Sequence, residues 1–568
     1  MAGNSLGHFF CCVGVQHLTL DICHPVSLVS SDSDFYIFRD GRCPESGERL
    51  LDALRSSLMR AADERGWMDA LLRSGELECA LADAGVAEAE LLGRVTDRCA
   101  EILVSSEFRE RPELLDLLPP QIHDELTVAT PEGFAYYALH PLRYADVVDD
   151  LGEVRDSVVV GIRSIGTTLS AVTAAALRQR GSKVQRFSVR PEGHPFDRVT
   201  RWSDGQMHVI RPGELSEAMF LVVDEGPGLS GSSFLSVAEA LCATGVAHDR
   251  IVLIPSYAPD TSRLRAQDAA RRWDKFRCVP IGDGRRPQGE WIGAGEWRQR
   301  FRGEERRWPG SWTSMERAKF LSHNGRVFWK FEGLGHYGDR AREEAGALAD
   351  AGFGAEVVAE AYGFLGYGCL RGRPTAKEEL SPERIRRIAE YCAFRAVKFH
   401  RPVTTAQQDD FASMARVNFE REFGNRLDDA FTEFKLVTPI TCDAKMAPHE
   451  WFLTENGQFL KFDATVHGDD HFFPGPCDVA WDLAGAIVEW GMGSEARDRL
   501  LQEYHALSGD QATGRIENYL LAYSVFRFAW CKMAAAAMNG TADGKRLLRD
   551  YRRYRDYAEK IVANSVRR

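Results

Sequence analysis

The stretch VVDEGPGLSGSS, Val222 to Ser233, runs from apolar β-branched residues through two acids, Asp224 and Glu225, into a loop of glycines and serines. The apolar run reads as a buried strand and the pattern SFLSVAEALCATG after it as a helix. A loop of this kind at a helix N-terminus presents unpaired amides, which form an anion site suited to phosphate. Outward from this point the rhythm repeats. SVVVGIRSIG, from Ser157, is followed by the helical TTLSAVTAAALRQRG and the strand-like KVQRFSVR, and RIVLIPSY closes the series. Short apolar runs alternating with helical patterns predict a parallel α/β sheet, whose ligands bind at the carboxyl ends of the strands.

Gly226 to Ser233 matches the P-loop spacing GxxxxGK[ST] except that Ser232 replaces the lysine, so a nucleoside triphosphatase ranks third among the readings. The acid pair before the loop is explained instead by a resemblance to the type I phosphoribosyltransferase family, in which a strand, two acids, a short loop and a Ser/Thr-Gly-x-Ser/Thr turn lead into a helix. Here the insert GPGL is one residue longer than usual. The resemblance implies that Asp224 and Glu225, the catalytic positions, hold the ribose hydroxyls of phosphoribosyl pyrophosphate (PRPP). It implies too that Ser230, Gly231, Ser232 and Ser233 cradle the 5-phosphate. VVVGIRSIGTTLSA, Val158 to Ala171, resembles the family's pyrophosphate loop, with Arg163, Ser164 and Gly166 on the diphosphate. The implied chemistry is displacement of pyrophosphate at the anomeric carbon by a nitrogen nucleophile, with magnesium shielding the diphosphate. RFSVRPEGHPFDRVTRW, with His194 and Arg198, reads as a flap or an ordinary loop.

At 568 residues the chain is too long for one core, and two or three domains are expected. A net charge of -12 lacks the general basic footprint of a nucleic-acid binder. The 13 cysteines, including the adjacent Cys11 and Cys12, show no CxxC spacing, which argues against a zinc site and a disulfide framework and for a reducing, cytoplasmic setting. The N-terminal stretch lacks the pattern of a signal peptide, and YLLAYSVFRFAWCKMAAAAM, broken by Arg527 and Lys532, reads as a core helix and not a membrane span.

Residues 1–150 carry helical patterns and are expected to be a helical N-terminal region with a structural role. Its end, TPEGFAYYALHPLRYADV, reads as a wrap leading into the α/β domain, 151–295. Residues 296–312 are expected to be a linker packing its tryptophans on the next domain, 313–568.

That last domain resembles the aminoglycoside phosphotransferase and choline kinase family, an α+β kinase-like fold. Lys330 in RVFWKF, after a hairpin turning at Asn324-Gly325, sits at the family's phosphate-pairing lysine, with Glu343 or Glu344 as its partner, and GFLGYGCLRGRP looks like the hinge. Two frames compete for the catalytic loop. Literal HGD, His467 to Asp469, offers Asp469 as base, but Asp478 follows only nine positions later. The preferred frame sets KMAPHEWFLTENGQFLKFDAT on the loop, hairpin and metal acid, which implies Mg2+ on Glu450 and Asp463 with ATP as a substrate. Lys445 then occupies the base position, where it cannot readily take a proton, and Asp443 is the candidate substitute. Asp482 in DVAWDLAGA is expected to be structural.

The combined expectation is a fused transferase with a PRPP-binding half and a divergent kinase-like half, acting in nucleotide-like metabolite synthesis or salvage. Its rival is a non-catalytic sensor of PRPP or nucleotide with a pseudokinase half. Neither nucleic acid nor membrane is an expected partner.

Overall fold

The computed structural model describes residues 35–109, 112–122, 125–210, 217–465 and 470–565. Cys11, Cys12, the signal-peptide question and the HGD triplet lie outside them.

The alternating patterns between residues 156 and 278 form a five-stranded sheet. Its spatial order is Lys183–Val189, Asp156–Ile162, Met219–Val223, Ile251–Ile254 and Arg277–Cys278, every pairing parallel. The central strands are apolar throughout because both faces are covered. Val158, Val160 and Val222 pack against helix Ser232–Ala243, while Val159, Leu221 and Val223 pack towards helix Ile165–Gln179.

Helices Gly47–Arg60, Glu64–Ala84 and Glu88–Ser105 share that second core. The first two are separate because Asp63 caps the second, accepting from the Gly66 N–H at 2.8 Å, an interaction worth about 1 kcal/mol. The N-terminal helices also supply acids to the sheet. Arg186, buried beside its strand neighbours, pairs with Glu78 at 2.9 Å and Asp97 at 2.5 Å.

The second sheet is antiparallel, in the order Glu290–Trp291, Lys319–Leu321, Val327–Phe331, Phe364–Gly368 and Val357–Ala361. Asn324-Gly325 forms the hairpin turn, with Gly325 at φ 66°. Since Glu290–Trp291 pairs with Lys319–Leu321, residues 292–318 are an excursion between neighbouring strands, and the expected linker lies inside it. The rest of the C-terminal half is mainly helical. Its core includes Tyr391, Trp451, Trp481 and Tyr523, and the apolar helix Ile516–Ala537 is buried in it. Among the described residues no helix is long and apolar enough to cross a membrane, and the described cysteines are all free.

The two halves are tied through the wrap. Phe134 O accepts from Leu334 N–H at 2.9 Å, Ala135 O from Arg317 at 3.0 Å, and the Tyr144 hydroxyl donates to Asp224 O at 2.7 Å. Farther upstream, Phe35 and Ile37 lie in the C-terminal core, so residues 35–150 touch both halves.

Candidate functional site

Two places gather the residues singled out from sequence. The first is the phosphate loop at the carboxyl end of strand Met219–Val223. Gly231 adopts φ 72° as the N-cap of the following helix, a left-handed conformation suited to glycine. The Ser230 and Ser232 hydroxyls lie 2.9 Å apart, and Ser230 Oγ accepts from Ser232 N–H at 3.1 Å. The hairpin Glu192–His194/Asp197–Val199 reaches this loop, where Ser232 Oγ donates to Pro195 O at 2.5 Å and Thr200 Oγ1 lies 2.9 Å from Ser236 Oγ. The donors expected to hold a phosphate thus bond one another and the hairpin, while Ser233 stays partly exposed.

The acids are closed off as well. Asp224 is 8% exposed and Glu225 1%. A Cβ on Gly133 of the wrap would lie 2.8 Å from Glu225 Oε1, so the wrap's backbone covers that carboxyl directly. Burial pushes Asp224 well above the usual carboxyl range and Glu225 up to about 8. Burial thus disfavours the ionised form of both groups, which the expected acceptor role toward ribose requires. The pyrophosphate-loop expectation changes similarly. A Cβ on Gly166 would meet Val223 O at 2.6 Å, so close helix–strand packing already accounts for this glycine. Arg163, 13% exposed at its side chain, lies 3.3 Å from Asp83 of the N-terminal helices. Ser164 is partly exposed at the helix start, where its carbonyl accepts from Thr167 N–H.

The second place is the cleft of the C-terminal half. Asp482 is fully buried and accepts from the N–H groups of Asp443 and Ala444, both at 2.9 Å. Ala444 follows at φ 62°, and this anchored bend turns Lys445 into the cleft. Arg395 supports the anchor from beneath, 3.7 Å from Asp482 and 3.8 Å from Glu344, while donating to Thr441 O and Ala464 O. Asp443 points the other way: it is 1% exposed, accepts from the Tyr391 hydroxyl and lies 3.2 Å from Lys461. It is a buried structural partner, and the expectation of a substitute base is corrected.

Lys330 makes an ion pair with Asp463, and it also lies 3.2 Å from Glu332 on its own strand. Glu343 is exposed and Glu344 faces Arg395, so the expected helix partner of Lys330 is replaced by Glu332 and Asp463. Lys319, missed in the sequence, lies 2.8 Å from Glu316 and 3.4 Å from Asp463. Its one signal was a lysine inside an apolar strand pattern.

The donors for magnesium can be weighed on this geometry. Asp463, held at φ 54°, is flanked by the ammonium groups of Lys319 and Lys330. Burial pushes Glu450 up to about 7, with Lys461 and Lys445 acting against it and Asp463 with it. Among the described residues no group of three or more metal-ligating side chains forms. Mg2+ keeps several waters and takes one or two carboxylates besides the phosphates of its substrate, so the number of acids here would serve. The misfit lies in their engagement: Asp463 is already paired with two ammonium groups, and burial disfavours the ionised form of Glu450.

Above these residues lies a cavity of about 930 Å³. Its wall includes the excursion 292–318, pinned by Arg298, which bonds Asp543 at 2.6 and 2.9 Å. Trp297 stacks on His449, and Trp312 sits in the helical core against Trp530. The cavity also meets the wrap at Tyr136 and Tyr137.

No family model and no curated protein matches the chain. Among solved structures, a choline/ethanolamine kinase family protein from Mesorhizobium loti is similar at 17% identity over 44% of this chain and 88% of that one, with a TM-score of 0.31. Choline kinase LicA from Streptococcus pneumoniae is similar at 14% identity, covering 43% and 89%, with a TM-score of 0.31. The GDP complex of aminoglycoside 2'-phosphotransferase-IIIa is similar at 13% identity, covering 44% and 90%, with a TM-score of 0.29.

Proposed function

We propose that the protein is a small-molecule sensor whose C-terminal cleft binds a nucleotide-like ligand without transferring phosphate. The observation that carries this is Lys445. The loop anchored on Asp482 presents an ammonium where a kinase-like reaction needs a carboxylate to accept the hydroxyl proton. Asp443, the acid nearest in sequence, is committed to Tyr391 and Lys461. The cavity volume suits a nucleotide-sized ligand, and Phe328, Phe452 and Phe462 offer apolar surface for a base.

The test is nucleotide binding by calorimetry on the full-length protein alongside ATP turnover with hydroxyl and amine acceptors. Binding without turnover is expected, and Lys445→Asp should raise turnover if the missing acid is the obstacle. Fast turnover by the unmodified protein would overturn the reading.

A second reading concerns the α/β half. A serine-rich loop at a helix start, on the carboxyl edge of a parallel sheet and beside a hairpin, supports PRPP as a ligand once the hairpin lifts away. Under this reading transfer of the phosphoribosyl group also requires the wrap to release Glu225. PRPP titration against the double variant Asp224→Asn, Glu225→Gln tests it: equal affinities would remove the acids from the site.

A further inference from the structure

We propose that the C-terminal cleft takes the diphosphate of its ligand directly on Lys445, Arg317 and Lys319, with no divalent metal between them. The inference rests on the reading of the cleft as a nucleotide-like site, and it names the chemistry by which that site holds phosphate.

Three observations carry it. First, Lys445 and Arg317 line the cavity, and among the described residues neither has a carboxylate within ion-pair distance; the nearest acids, Asp463 and Glu450 for Lys445 and Asp470 for Arg317, act on them from farther off. Arg317 is 7% exposed; it donates to Ala135 O at 3.0 Å and lies 5.1 Å from the Tyr136 ring centre. A cation withdrawn from water with no carboxylate in direct contact keeps hydrogen-bond donors free, and a bound anion would accept from them at close range. Burial also pulls the Lys445 ammonium below its usual range, a direction that an adjacent phosphate would reverse.

Second, the place of the metal is already filled by protein cations. Lys319 and Lys330 neutralise Asp463 from two sides. A magnesium ion entering there would have to displace both ammonium groups and would meet Lys445 as a further positive neighbour. An incoming phosphate meets the opposite situation, because ammonium and guanidinium groups donate charge-assisted hydrogen bonds to its oxygens.

Third, the cavity is two-sided. The cations lie near the second sheet and the Lys445 loop, while Phe328, Phe452 and Phe462 lie in the same wall, with the Phe328 and Phe462 rings 5.0 Å apart. A ligand with an aromatic base and a short phosphate chain matches both surfaces at once.

The experiment is calorimetric titration of the full-length protein with ADP, inorganic pyrophosphate and adenosine, each in EDTA and in excess magnesium chloride. ADP is expected to bind in EDTA within about threefold of its affinity in magnesium. Lys445→Met should weaken it at least tenfold, about 1.4 kcal/mol, and Lys445→Arg should restore it to within about threefold. Melting curves establish that both variants fold, and Arg317→Gln gives an independent second loss. Pyrophosphate bound as tightly as ADP would support phosphate recognition and identify a ligand without a base. ADP binding that requires magnesium would overturn the inference and leave the cleft reading standing. ADP that binds in neither buffer would overturn both. Adenosine bound as tightly as ADP would overturn the inference, since the phosphates would contribute nothing. Loss of ADP binding in Ser232→Asp but not in Lys445→Met would also overturn it, by locating the ligand in the α/β loop.

Discussion

The phosphate loop of the α/β half and the cleft of the C-terminal half are built from similar local parts and differ in what covers them. Each follows an apolar strand and gathers acids beside hydrogen-bond donors. In the α/β half the serine hydroxyls bond each other and Pro195, and Gly133 lies on Glu225. In the cleft, the excursion 292–318 and the wrap form the wall of a large cavity, and Lys445 and Arg317 face it with no carboxylate within ion-pair distance among the described residues, Asp463, Glu450 and Asp470 lying farther off. One place is closed over by its own chain, and the other keeps an open cavity with cations along its wall.

The largest effect should come from the ionic floor of the cleft. Arg395→Met leaves Glu344 and Asp482 buried without their guanidinium and frees two carbonyls, and it should destabilise the C-terminal half by about 3–5 kcal/mol. Scanning calorimetry resolves whether one transition moves or both. Arg186→Met is its counterpart beneath the parallel sheet, stranding Glu78 beside Asp97, and should cost about 3 kcal/mol. If each variant lowers the whole melting profile equally, the halves unfold as one unit and the contrast between them is one of sites, not of stability.

A third test uses protons. The Glu225 carboxyl is raised by burial from 4.5 to about 8, so the folded protein holds a proton that the unfolded chain releases. The resulting stability is fully present below the unfolded value and is lost as pH rises through about 8. Melting temperature should therefore fall between about pH 5 and pH 8 and level off above, with a free-energy slope from this group of at most about 1.4 kcal/mol per pH unit. Glu225→Gln mimics the protonated form and should flatten that fall. Identical slopes in the two proteins would mean that Glu225 is already ionised and the α/β site is open, which would favour the PRPP reading.

The smallest effect is expected at the hairpin. Ser232→Ala removes the bond to Pro195 O and should cost about 1 kcal/mol, with faster hydrogen exchange across residues 192–199. Unchanged exchange there would show that other contacts, such as Thr200 with Ser236, hold the hairpin down.

Much of this architecture was legible in the residue order, because periodicity and turn chemistry are local. The continuous apolar runs announced the parallel sheet, and Asn324-Gly325 announced the hairpin, whereas the pairing of Lys330 with Asp463 was not foreseen. Asp482, expected to be structural, is buried and holds the N–H groups of Asp443 and Ala444. What only the tertiary structure decided is exposure and pairing between distant segments. Residue order alone did not disclose that Gly133 would seal Glu225, that Asp83 would meet Arg163, that Lys319 would share Asp463, or that residues 296–312 would wall a cavity. A side chain's charge state and availability depend on the groups within a few ångströms of it, and folding brings those groups from anywhere in the chain.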